Sequence, residues 1–258
     1  MKPLAELDAR GVRALLFDLD DTLSTAGRIT AQAYGALERL HAAGTRTVAV
    51  TGRPAGWCDH VARMWPVDAV VGENGAFYFR HAGGRLRREY HEAPERRARH
   101  RERLAQIARQ IIAAVPGCAI AADQAYRETD LAIDYCEDVA PLPLGEAERI
   151  AALMRSAGLH AKVSSIHVNG WFGDYDKLAM TRRLFQQEFG IVLERERAAV
   201  LYVGDSPNDA PMFEFFPRSV GVANVRRFGA LLATAPKYIT VASSGAGFAE
   251  LVAHLLAA

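Results

Sequence analysis

The chain has 258 residues, 50% of them apolar and 24% charged, a globular composition that excludes intrinsic disorder over most of its length and allows a sizeable core. Thirty-one Lys and Arg stand against thirty Asp and Glu, a net charge of +1, so no global field draws the chain to nucleic acid or to an anionic membrane. Apolar runs fall far short of a bilayer span, the first residues lack the apolar stretch of a secretion signal, and Cys58, Cys118 and Cys136 are too few and scattered for a disulfide framework or a Cys-based zinc site; the expectation is a cytoplasmic protein whose cysteines are small buried hydrophobes.

In chain order, Arg13–Phe17 is a short apolar run ending in acids and reads as a strand. Ala33, Leu37 and Leu40 recur at helical spacing within Thr30–Ala43, with Gly44 as a stop. Thr45–Thr51 is β-branched and reads as a second strand, Trp57–Met64 as a short helix and Asp68–Val71 as a third strand. Strand, helix, strand, helix, strand is the pattern of a parallel sheet with crossover helices. Ala76–Arg80 and Arg85–Tyr90, joined through Gly83 and Gly84, read as a hairpin. Pro94–Val115 opens on a proline, which suits a first helical turn, and aligns Leu104, Ile107, Ile111 and Ala114 on one face. A further hairpin is expected within Ala119–Tyr135, a helix over Glu146–Ala157 ending at Gly158, and one strand over His160–Val168.

The opening pattern then returns. Helix Lys177–Phe189 is stopped by Gly190, and the continuous apolar strand Ala199–Val203 follows. After it come helix Asn208–Phe216, strand Ser219–Val222, helix Arg226–Ala233, strand Lys237–Val241 and helix Gly247–Leu256. The expected organisation is an α/β core built from residues 1–80 and 170–258, interrupted by a separate α+β unit at 81–169. Residues 80–109 hold ten arginines against Glu89, Glu92, Glu95 and Glu102. They lie opposite the apolar stripe, without the interleaved aromatics of a base-stacking platform, and read as a solvated face.

The chemistry collects at strand ends. Asp18-Leu19-Asp20-Asp21-Thr22-Leu23 follows the first strand directly. Residues two apart in an extended stretch point the same way, so Asp18 and Asp20 can share one site. Two carboxylates held close repel unless a cation lies between them, which implies Mg²⁺, a hard cation served by oxygen ligands. Gly204-Asp205-Ser206-Pro207-Asn208-Asp209 brings two more acids to the end of another apolar strand. In an open α/β sheet such loops converge where the strand order reverses. Asp209 reads equally as a metal ligand and as a helix-start acid favoured by the helix dipole. Thr51-Gly52-Arg53 ends the second strand with a hydroxyl and a glycine that lets the backbone approach a phosphate oxygen. Lys177 opens the helix after the insert, where it can neutralise a phosphate. No P-loop, dinucleotide fingerprint, or serine or cysteine nucleophile motif is present.

DLDDTL, TGR, an isolated Lys and GDSPND, in that order, resemble the haloacid dehalogenase-like superfamily of phosphotransferases. Gly72-Glu73-Asn74-Gly75-Ala76 after the third strand and an insert between the second and third motifs resemble its type IIB branch, which includes Cof-like sugar phosphatases, sucrose-phosphate phosphatases and mannosyl-3-phosphoglycerate phosphatases. GVAN at 221–224 and SGAG at 244–247 are similar to late landmarks of that branch, and GWFGDYDKLAM at 170–180 most resembles its mannosyl-3-phosphoglycerate phosphatase-like members. The resemblance implies a Rossmann-like doubly wound parallel sheet carrying an inserted α+β cap that reads the leaving group. It implies Asp18 as a nucleophile forming an aspartyl-phosphate and Asp20 as general acid, then base. It implies Thr51 and Lys177 as ligands of the phosphoryl oxygens. Mg²⁺ would be bound by the Asp18 carboxylate, the Asp20 backbone carbonyl and Asp205, with Asp209 beside them, and Asn208 would orient the loop. Asp21 replaces a glycine often found at its position. Gly52, Arg53 and Asn74 are expected at the substrate because they flank strand ends. His167 and Asn169, at the return from cap to core, are weaker candidates.

The expectation is a Mg²⁺-dependent phosphatase of a small phosphorylated metabolite, a sugar phosphate or glycosyl phosphoglycerate, acting as monomer or homodimer without nucleic acid or membrane. Its essential groups all lie outside 81–169. The rival readings are a phosphosugar mutase on the same core and a non-catalytic binding or regulatory relative, the latter disfavoured by the intact Asp18, Asp20, Lys177 and Asp205.

Overall fold

The structure is a computed structural model and describes residues 1–258. The strands in chain order are β1 (Lys2–Pro3), β2 (Ala14–Phe17), β3 (Arg46–Val50), β4 (Ala69–Gly72), β5 (Phe77–Ala82), β6 (Arg85–Tyr90), β7 (Ala119–Ile120), β8 (Asp130–Asp134), β9 (His160–Val163), β10 (His167–Trp171), β11 (Val200–Gly204), β12 (Arg218–Gly221) and β13 (Tyr238–Ile239). The helices are α1 (Ala31–Ala42), α2 (Ala55–Met64), α3 (Pro94–Ala114), α4 (Leu144–Ser156), α5 (Lys177–Phe189), α6 (Leu193–Glu196), α7 (Ala210–Phe215) and α8 (Ser244–Leu256). Nine strands form one sheet in the order β1-β13-β12-β11-β2-β3-β4-β5-β6. All of its pairings are parallel except β4–β5 and β5–β6. From β2 the chain winds outward through β3 and β4, and from β11 it winds the other way through β12 and β13. The order therefore reverses between β2 and β11, where an open α/β sheet leaves a crevice at the strands' carboxyl ends.

The residues of β2 and β11 are all buried, which is why they read as continuous apolar runs rather than alternating ones. One face of the sheet packs Leu15, Phe17 and Val203 with Leu37 of α1, Val61 of α2 and Phe248 of α8. The other packs Leu16, Val48 and Tyr202 with Leu184 and Phe185 of α5 and Phe213 of α7. A separate core joins Leu104, Ile107 and Ile111 of α3 and Ile150 and Met154 of α4 to Ile133 and Val168 of a second, antiparallel sheet in the order β7-β8-β10-β9. Cys58 and Cys118 are buried, Cys136 is half-buried and none is disulfide-bonded. No helix is long and apolar enough to cross a membrane.

Several boundaries move. The β5–β6 hairpin pairs with β4 and extends the core sheet to Tyr90, while β10 belongs to the second sheet and runs to Trp171. The expected limits of 81 and 169 thus fall inside a hairpin and inside a strand. Aromatic packing holds the hairpin in the core: Phe77 stacks on Phe79 at 4.4 Å, and Tyr90 lies against both rings. The single strand expected over His160–Val168 is two, β9 and β10, paired antiparallel. Ser164 makes the reversal, its amide donating to the His167 carbonyl and its hydroxyl accepting from the His167 amide, a local serine turn that outcompetes continued extension. The helix expected at Arg226–Ala233 is a 3₁₀ stretch, Ala223–Leu231, broken at Gly229. Strand Lys237–Val241 shortens to Tyr238–Ile239.

Gly75 fixes how the core closes around its site. Its φ is +109°, and a Cβ there would lie 2.0 Å from the Asp176 carbonyl oxygen, just before Lys177. Gly75→Ala is expected to lower unfolding stability by about 2–4 kcal/mol, from backbone strain plus the clash. An unchanged urea midpoint would show that the loop shifts freely and does not seat α5.

Candidate active site

Asp18 leaves the end of β2 with its amide donating to the Val203 carbonyl, so its position is set by the sheet. Asp176 caps α5 by accepting from the Ala179 amide at 2.7 Å, and the next residue, Lys177, turns inward and is 1% exposed. Lys177 Nζ donates to Asp18 Oδ1 at 2.8 Å and to Asp209 Oδ1 at 2.7 Å. Asp209 closes a capping box with Ser206. Its Oδ2 accepts from the amides of Asp205 and Ser206 at 3.0 and 3.2 Å, and its Oδ1 also accepts from the Tyr202 hydroxyl. Both oxygens of Asp209 are therefore engaged within the protein. A Cβ at Gly204 would sit 2.3 Å from Asp209 Oδ2, so the loop can only be this tight with glycine there.

Asp205 is different. It is fully buried, and its Oδ1 has no hydrogen-bond partner, while Oδ2 accepts from Asn224 Nδ2 at 3.1 Å and lies 3.5 Å from Arg227. Carboxylate oxygens of Asp18, Asp205 and Asp209 all lie within 4.8 Å of one another. Burial pushes the Asp18 carboxyl up to about 8; Lys177 pulls it down, while Asp209 and Asp20 add to the rise. Burial, then the charges of Asp18 and Asp209, pushes Asp205 well above the usual carboxylate range. A buried, acceptor-only oxygen without a donor costs several kcal/mol in this setting unless a cation or proton meets it. The donor set is all hard oxygen, the chemistry of a Mg²⁺ site.

The Asp20 carboxylate does not join this cluster. It accepts from Arg53 Nε at 2.9 Å and Nη2 at 2.8 Å. The two acids were expected to face one cation as side-chain neighbours; the buried guanidinium takes Asp20 instead, because a planar fork and a carboxylate satisfy each other bidentately. Only the Asp20 backbone remains for the metal role expected of it. Arg53, expected to be open to substrate, is 4% exposed and committed to acids, meeting Glu137 and Asp123 of the insert as well as Asp20.

Thr51 is fully buried at the end of β3, its hydroxyl accepting from the Arg53 amide at 3.0 Å with its own proton left to donate. Asn74 has φ +56° and accepts at Oδ1 from Asn208 at 3.1 Å; its buried Nδ2 has no partner. Gly52 faces that amide closely enough that a Cβ would meet Nδ2 at 3.1 Å. His167 and Asn169 are buried in β10, contacting Glu137 and Asp130 respectively.

Sequence reasoning missed Glu73, Arg127 and Arg227. Glu73 is fully buried in the core with φ +42°, yet it binds the insert. Its carboxylate accepts from the amides of Glu128 and Thr129 at 2.9 and 2.7 Å, from the Thr129 hydroxyl, and from the Ala55 amide at 2.9 Å. Arg127 returns the contact by donating to the Gly52 carbonyl at 2.8 Å. The only signal for Glu73 was a charged residue amid an apolar strand end. Glu73→Ala would leave three amides without an acceptor, and is expected to cost about 2–4 kcal/mol and to raise amide exchange at Glu128 and Thr129. Wild-type protection at both would mean that the seam does not depend on this carboxylate.

Residues 15–114 match the family model of haloacid dehalogenase-like hydrolases. No curated protein matches the chain in sequence. In three dimensions it is similar to the C-terminal domain of trehalose-6-phosphate phosphatase from C. albicans, at 14% identity over 100% of this chain and 99% of that one, with a TM-score of 0.71. It is similar to the sucrose-phosphatase of Synechocystis sp. PCC6803, solved with sucrose and phosphate, at 18% identity over 95% and 98% of the two chains, TM-score 0.62. It is also similar to a sugar phosphatase of haloacid dehalogenase subclass IIB, at 16% identity over 94% and 98%, TM-score 0.61. The sequence match spans the strands that carry Asp18, Thr51 and Asn74, and the similar solved structures share the fold over nearly the whole chain.

Proposed function

We propose that the protein is a Mg²⁺-dependent phosphatase of a small phosphorylated metabolite, most simply a sugar phosphate. The observation that carries this reading is the Asp18 carboxylate held by buried Lys177 beside the unpartnered Oδ1 of Asp205. Such a site joins a nucleophile, a fixed cation and a carboxylate oxygen free to hold a metal, which phosphoryl transfer requires. The sugar phosphatases that share the fold support the substrate class.

Asp18 and Asp205 would hold the metal, with Asp209 orienting Lys177 and the loop; when bound, Mg²⁺ offsets the charge of the phosphoryl group. The Asp18 carboxylate attacks phosphorus, the bond from phosphorus to the leaving oxygen breaks, and Asp20 gives that oxygen its proton. Asp20, now a carboxylate, takes a proton from water. The water oxygen attacks phosphorus, the bond to Asp18 breaks, and phosphate leaves with both aspartates restored. Lys177, the Thr51 hydroxyl and the free Asn74 amide would hold the phosphoryl oxygens in line. The insert, running from the end of β6 to β10, closes the site from above and excludes water from the first step.

A panel of hexose and disaccharide phosphates, phosphoglycerates and their glycosides, assayed with Mg²⁺ for phosphate release, tests the reading. Release from at least one member, with no isomeric sugar phosphate formed, is the expected result. Interconversion of phosphate positions without release would replace it with the mutase, and inertness across the panel would overturn a metabolite phosphatase.

A further inference from the structure

A cavity of about 340 Å³ opens between core and insert. Asp20, Arg53 and Arg227 line it from the core, and Glu137 and Ser165 from the insert. Arg53 is its pivot. The Nε and Nη2 edge of the guanidinium holds Asp20, and the Nη1 and Nη2 edge holds Glu137 at 3.3 and 2.5 Å, with Asp123 3.3 Å from Nη1. The plane also rests over the Trp57 ring at 4.3 Å. One rigid fork is thus shared between Asp20 of the core, whose protonated form would give the leaving oxygen its proton, and two carboxylates of the insert.

Glu137 is itself fixed. The Asp134 carboxylate at the end of β8 accepts from the amides of Cys136, Glu137 and Asp138 at 2.9, 2.7 and 2.8 Å, which folds the loop into a tight turn. His167 Nε2 of β10 lies 2.9 Å from Glu137 Oε2, without the alignment of a hydrogen bond. A guanidinium is planar and delocalised, so clamping one edge sets the direction of the other. Arg53 thus joins Asp20 to a loop more than a hundred residues away from it in sequence.

We propose that Glu137 is a positioning residue for leaving-group departure: with the insert seated, it holds Arg53 so that Arg53 aims Asp20 at the leaving oxygen. The inference rests on the phosphatase reading above. Glu137 donates no proton and touches no reacting atom. The proton still passes from Asp20 to the leaving oxygen as the bond from phosphorus breaks. The coupling makes protonation depend on a seated insert, so the acid is aimed only when water is excluded.

The dependence on leaving group tests this. Glu137→Gln keeps the side chain's size and removes its charge. A sugar phosphate needs its leaving oxygen protonated, whereas 4-nitrophenyl phosphate does not. With a folded variant, shown by its melting curve, kcat/KM for a sugar phosphate is expected to fall about tenfold or more, while that for 4-nitrophenyl phosphate stays within about threefold, since general acid catalysis is worth about 10²–10⁴. Arg53→Gln should reproduce at least the loss on the sugar phosphate, and the double variant should be no worse than Arg53→Gln, because Glu137 acts through it. Should Glu137→Gln fail to fold, Glu137→Asp, which keeps the charge but shortens the reach, takes its place with a smaller loss of the same selectivity. Equal losses on both substrates, additive losses in the double variant, or no loss at all overturn the inference and leave the phosphatase intact. Wild-type protein inert toward both substrates overturns the phosphatase reading and this inference with it.

Discussion

Asp18→Asn is expected to give a folded protein whose phosphatase activity is lower by a factor on the order of 10³ or more. The backbone of residue 18 is held by the Val203 carbonyl and an Asn side chain fills the same space, so the end of β2 keeps its place. What disappears is the carboxylate that would attack phosphorus. Stability should not fall with it, because Asp18 crowds against Asp205 and Asp209 in a fully buried cluster and is pushed up to about 8, first by burial, against the pull of Lys177. An amide there places no charge beside Asp205 and Asp209, and its oxygen still accepts from Lys177. Phosphate release by purified Asp18→Asn, compared with wild type at equal concentration, checks the expectation. Activity within tenfold of wild type would end the covalent mechanism, and a collapsed melting temperature would mean that the carboxylate is structural.

Removing the metal is the second large effect. Asp205 Oδ1 is buried with no donor, and three carboxylates share a volume in which only Lys177 donates to more than one of them. Excess chelator should abolish activity and Mg²⁺ should restore it. Ca²⁺ should restore little, because its larger and looser coordination shell suits in-line attack poorly. The same site gives a readout that needs no substrate. A ligand bound by the folded state alone stabilises it by about 2.7 kcal/mol at a hundredfold excess over its dissociation constant. Mg²⁺ should therefore raise the melting temperature of wild type, and Asp205→Asn should abolish that rise. Full activity in chelator with metal content verified, or an equal Mg²⁺ response in wild type and Asp205→Asn, would remove the metal from this site.

The sequence by itself determined the order of elements and the strand ends that carry chemistry. Apolar runs such as Ala14–Phe17 and Val200–Gly204, followed at once by acids, are local signals. They survive because a strand buried on both faces has to be apolar throughout and because the crevice of an α/β sheet lies at those ends. Side-chain partners were decided only in three dimensions. Asp20 sits two residues from Asp18, yet its carboxylate pairs with Arg53 from another strand end. Asp209 is read equally well as a ligand or a helix-start acid, and folding gives both of its oxygens to Lys177, Tyr202 and two amides. Glu73 shows no periodicity that marks it as the anchor of the insert, and the limits of the insert depend on which sheet the β5–β6 hairpin and β10 join. A buried charge settles wherever oppositely charged and hydrogen-bonding groups offset its lost hydration. Those groups come from distant parts of the chain, so spacing along the sequence carries no record of them.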